Sequence, residues 1–77
     1  MTDAEIYRQI KIMLLDGGLS EAGAAEKMGM TKQNLNRKIR SGTVRLSEFL
    51  QIAHMAGYKV YAERTNEAGE AERTELK

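Results

Sequence analysis

The sequence predicts an all-α fold: a compact bundle of four to five short helices around a central helix-turn-helix, followed by a short C-terminal β-strand. Three observations lead there. Proline is absent and Ala, Glu, Lys, Leu and Met are abundant, a composition that favours helices. Apolar residues recur at helical spacing in several short segments, and glycines punctuate the segment ends. Between Leu19 and Arg45, two short helical segments meet at Gly29, an arrangement expected of a helix-turn-helix.

Size and charge narrow the reading. Seventy-seven residues suit one domain, near the lower limit at which a core alone gives independent stability. A second copy is therefore a natural addition to so small a core. The net charge is only +1. Six Lys or Arg and no Asp or Glu lie between Lys27 and Arg45, however, giving a local charge of +6. Local potential, not the total, is what a phosphate backbone responds to. The chain has no cysteine, so disulfides and thiolate metal sites are excluded. The N-terminal residues are polar and no run approaches membrane-spanning length, which makes a cytoplasmic protein the expectation.

Along the chain, Thr2 to Glu5 reads as a capping box. Ile6, Ile10, Met13 and Leu14 then mark one apolar helix face, and Gly17-Gly18 ends the helix, since glycine takes left-handed dihedrals at a C-cap without steric cost. Ser20 is the expected N-cap of the next helix, whose Ala22, Ala24 and Ala25 keep it slim enough for close crossing. Gly29 closes that helix. Thr31 caps the third helix, in which Leu35 and Ile39 form the only apolar ridge. Lys32, Gln33, Asn34, Asn36, Arg37, Lys38 and Arg40 take the other positions, all side chains that pair with base edges or phosphates. A solvated polar face is the plain alternative.

Ser41-Gly42-Thr43 is a turn. Leu46, Phe49, Leu50 and Ala53 mark a fourth helix with Ser47 as the expected N-cap. From Tyr58 to Arg64 apolar and charged residues alternate, a strand pattern. One strand needs a partner edge, either the same strand in a second copy or residues after the turn at Asn66 to Gly69. Residues 1–64 form the expected domain. Residues 65–77, acidic and nearly free of large apolar side chains, are expected to be a disordered tail.

Catalytic chemistry is not in evidence. His54 is the only histidine and occupies a polar-facing helix position, and Gly17-Gly18 follows a helix where a phosphate loop would follow a strand. No enzyme activity, metal or other cofactor is expected.

The segment from Leu19 to Gly57 resembles the lambda-repressor-like (Cro-type, XRE-type) helix-turn-helix domains of bacterial and phage regulators. The resemblance lies in GLSEAGAAEKMGMTKQNL, with Ala25 and Gly29 at the family's small-residue and turn positions, and in LSEFLQIAHMAG. It implies a DNA-binding role for a third helix that enters the major groove. Lys32, Gln33, Asn34 and Arg37 would contact bases, while Thr31, Lys38, Arg40, Thr43 and Arg45 would contact the backbone. Two positions depart from the family pattern. Glu21 stands where a phosphate-holding Gln is common, and Lys38 stands where an aliphatic residue is preferred, leaving Ile39 to fill that packing role.

The sequence thus points first to a sequence-specific DNA-binding regulator, repressor-like, acting as a homodimer on double-stranded DNA. Tyr58, Val60, Tyr61 and Ala62 are the expected dimer contacts. The second reading is a protein-interaction module of antitoxin or phage anti-regulator type that keeps the fold. RNA binding ranks third, because the chain lacks an aromatic stacking platform.

Overall fold

The computed structural model describes residues 1–77 as four helices followed by a β-hairpin: α1 (Asp3–Asp16), α2 (Glu21–Lys27), α3 (Lys32–Ser41), α4 (Leu46–Met55), β1 (Val60–Thr65) and β2 (Ala71–Leu76). The fold is therefore mixed α/β and not all-α, and the helices number four.

Local chemistry starts three helices where the sequence suggests. The Thr2 hydroxyl accepts from Glu5 N at 3.2 Å while Glu5 Oε1 accepts from Thr2 N at 2.9 Å, a complete capping box. Ser20 Oγ accepts from Gly23 N, and Thr31 Oγ1 from Asn34 N. The fourth start differs from expectation. Its N-cap is Arg45, not Ser47, and Glu48 reaches back to accept from Arg45 N at 2.9 Å. The acid at the third helical position decided the boundary, two residues before the serine. At the end of α1, Gly17 keeps right-handed dihedrals and Gly18 takes the left-handed ones.

Nine side chains make the core: Ile10, Met13 and Leu14 of α1, Ala24 and Ala25 of α2, Leu35 and Ile39 of α3, and Ile52 and Ala53 of α4. Helix α1 lies against α3 and α4, and α2 lies against α3. Leu35 and Ile39 are buried to 1% and 0% exposure, contributing about 1.5–3 kcal/mol each. Small side chains on α2 let it approach α3 closely. Gly29 makes the turn between them: its φ of 70° lets Met30 N donate back to Ala25 O at 3.0 Å. Gly42 ends α3 in the same conformation, and it is buried against Asp3 at the start of α1.

The C-terminal third corrects two further expectations. Residues 65–77 are not a disordered tail; they supply the last residue of β1, the turn and the second strand of a hairpin. The strand begins at Val60, two residues later than its alternation suggests, and pairs antiparallel within the chain, from Val60 opposite Leu76 to Thr65 opposite Ala71. Asn66 builds the turn, its Oδ1 accepting from Ala68 N and Glu70 N, and Gly69 supplies the left-handed residue. Cross-strand charges match across the pair. Arg64 Nε meets Glu72 Oε2 at 3.1 Å, and Arg73 Nε meets Glu63 Oε1 at 2.7 Å. An acidic composition read as disorder thus conceals alternating charges that pair once the chain turns back. The hairpin protrudes from the bundle, and its strand residues are mostly exposed. The molecule measures 47 by 23 by 19 Å.

Candidate nucleic-acid interface

Helix α3 is held by one ridge, which fixes what its remaining surface can do. Leu35 and Ile39 face the core, so helical geometry directs Gln33, Arg37 and Arg40, spaced i, i+4 and i+7, to the opposite side. All three are exposed, as are Lys32 and Asn34. Arg37 lies at the centre of this face. Its Nη2 donates to Asn34 Oδ1 at 2.8 Å, so the guanidinium and the amide form one preset unit. No carboxylate lies within α3 to repel a polyanion.

The flanks of α3 are tied to its neighbours. On one side, Asn36 Nδ2 donates to Glu21 Oε2 at 2.8 Å, and Lys11 Nζ donates to Glu21 Oε1 at 2.9 Å. These contacts link α3, α2 and α1. The Lys11 ammonium first and the Asn36 amide second hold the Glu21 carboxyl below its ordinary range. Glu21 is therefore an internal strut whose charge is answered by Lys11. On the other side, Lys38 Nζ donates to Glu48 Oε2 at 2.7 Å, with Lys38 half-buried between α3 and α4. That ion pair and the Arg45 backbone N–H lower the Glu48 carboxyl likewise.

Gln33, Asn34, Arg37 and Arg40 share the outward face. Lys32 sits at the α2 edge, where it lines a shallow polar hollow of about 310 Å³ with Gln33 and Asn36. Thr31 is spent on capping, although its residue stays exposed. Thr43 and Arg45 are exposed in the loop after α3, with the Thr43 hydroxyl 2.8 Å from Ser41 Oγ. Lys38 is the outlier, since its ammonium is engaged by Glu48. Among the six cations from Lys27 to Arg45, it alone has a carboxylate partner. Lys11, Glu21, Asn36 and Glu48 position α3 and were invisible as a set in the sequence, because each pair joins different helices.

The candidate dimer contacts are partly absorbed by the chain itself. The Tyr58 hydroxyl bonds to Asp16, Val60 packs on the core, and Ala62 pairs with Thr74. Tyr61 is 46% exposed, with the Arg73 guanidinium 5.7 Å from its ring centre.

Comparison with family models, curated proteins and solved structures returns no match. The geometry itself therefore carries the functional argument. No helix is long and apolar enough to cross a membrane, and no group of three or more His, Asp or Glu side chains is arranged to hold a metal.

Proposed function

We propose that this chain is a sequence-specific DNA-binding regulator that inserts α3 into the major groove, with two copies bound to a two-fold symmetric site. One observation carries the reading. The exposed face of α3 bears Gln33, Asn34, Arg37 and Arg40 without a carboxylate, on a helix fixed by helices on both flanks. Arg offers two parallel donors to guanine, and Asn or Gln matches adenine in the same way. Arg45 and Lys27, exposed and without a carboxylate partner, add backbone attraction that sets register. A single α3 spans only a few base pairs, and two half-sites about one helical turn apart supply the remaining discrimination. The mechanism is occupancy of a regulatory site, with no chemical step. The likeness to lambda-repressor-like domains supports the same reading.

A gel shift on duplex DNA at low and high salt tests it. The expected result is retention at low salt that weakens steeply as salt rises. A second reading, a protein-interaction module, draws on the outer face of α1, where Leu15 is 81% exposed and Ile12 42% exposed. Absence of any DNA retention at low salt would favour that module and overturn the regulator.

A further inference from the structure

Strand β1 has one partnered edge and one open edge. Asn66 N donates to Glu70 O at 2.9 Å, so Arg64, Ala62 and Val60 are the β1 residues whose backbone groups face β2. The backbone groups of Thr65, Glu63 and Tyr61 point the other way. The sheet has only two strands, so nothing in the chain pairs with that side. A two-stranded ribbon is marginal in water by itself, and an open edge is a template for another strand. At the root of β1 a groove of about 300 Å³ adds apolar surface, with Met1, Met13, Phe49, Tyr58, Val60 and Tyr61 in its walls. The remaining lining residues, Gln9 and Lys59, leave β2 without a share in the groove.

We infer that this edge and groove receive a second copy of the same chain, with β1 pairing antiparallel to its counterpart around a two-fold axis at Tyr61. The inference rests on the two-copy part of the function proposed above. Charge selects the register. Pairing through outward-facing residues allows any residue from Val60 to Arg64 to lie on the axis. An axis at Val60 sets Tyr61 against Lys59 with no ionic match, and an axis at Arg64 sets two guanidinium groups side by side. An axis at Glu63 sets two carboxylates side by side, which is destabilising. An axis at Ala62 sets Tyr61 against Glu63 and Lys59 against Thr65, with no ionic match. An axis at Tyr61 sets Lys59 opposite the partner's Glu63 on both sides. Arg73 occupies Glu63 Oε1, leaving Oε2 for that lysine. In the same register Val60, which lines the groove, lies opposite the partner's Ala62. A continuous four-stranded sheet results, and its two-fold axis relates two copies of α3.

The chain lacks cysteine, so single introduced thiols report the register directly. Facing residues of a hydrogen-bonded antiparallel pair have Cα atoms about 5.5 Å apart, within disulfide range. Under mild oxidation Tyr61→Cys should give severalfold more covalent dimer than Glu70→Cys at the hairpin tip, and more than Ala62→Cys. Dimer yield from Tyr61→Cys no higher than from Glu70→Cys overturns the interface, and a higher yield from Ala62→Cys overturns the register. Sedimentation of the unsubstituted chain separates the two levels. A non-covalent dimer without Tyr61→Cys cross-linking rejects this edge but keeps the two-copy reading, whereas a monomer at every concentration rejects both.

Discussion

The Glu21 carboxylate accepts a hydrogen bond from the Asn36 amide at 2.8 Å, tying the first residue of α2 to the middle of α3. Because its second oxygen holds Lys11, the acid that stands beside the basic helix α3 is neutralised internally. Replacing Glu21 with Gln keeps an acceptor for Asn36 and releases Lys11. DNA affinity should rise at low salt, with a salt dependence steeper by about one phosphate contact. Titrations at several salt concentrations measure this, and weaker binding with an unchanged slope would show that the acid does not oppose DNA.

The same contact predicts acid sensitivity. Glu21 and Glu48 are both held below the ordinary carboxylate value of 4.5, by Lys11 and Lys38 respectively. The unfolded chain therefore takes up these protons at higher pH than the folded one. The stability from both groups is present above about pH 4.5 and is lost as pH falls through the folded values. The thermal midpoint should drop across that window, and Glu21→Gln should drop less. Parallel curves for the two proteins would contradict the assignment.

Lys38 and Arg40 are near neighbours with opposite expected roles. Lys38→Gln breaks the 2.7 Å pair to Glu48 and should cost about 0.5–1 kcal/mol of stability while leaving the salt dependence of DNA binding unchanged. Arg40→Gln should leave stability unchanged and flatten that dependence by about one contact. Paired denaturation and binding series decide between them; the reversed pattern would mean that Lys38 abandons Glu48 for phosphate.

Gly42 and Gly29 share left-handed dihedrals but differ in surroundings. A Cβ on Gly42 would lie 2.6 Å from Asp3 Cβ, whereas a Cβ on Gly29 meets nothing within 4 Å. Gly29→Ala should cost about 1–2 kcal/mol from backbone strain alone. Gly42→Ala should cost about 2–5 kcal/mol, because crowding against α1 adds to the strain. Chemical denaturation gives both values, and equal losses would show that α1 yields freely at its first turn.

Much of the helical part was legible in the sequence because its determinants are local. Thr2, Ser20 and Thr31 each act within three residues of their own position, and the Leu35–Ile39 ridge needs only helical spacing. The misread parts depend on distant partners. Glu63 and Arg64 find Arg73 and Glu72 only after the turn at Asn66, so a segment without large apolar residues still forms a strand. Lys38 looked like one more cation on a basic helix until Glu48, on the following helix, claimed it. Arg40 gained standing for the opposite reason: helical geometry sets it beside Arg37, on the face away from the core.

Selection of bound sequences from a random duplex pool tests the central claim most directly, using the unsubstituted chain and Arg37→Ala side by side. The unsubstituted chain should enrich a two-fold symmetric sequence with half-sites about one helical turn apart, and Arg37→Ala should lose about 1–3 kcal/mol of discrimination at one base pair of each half-site. Recovery of a pool as random as the one supplied would contradict the assignment of α3 as a reader of DNA sequence.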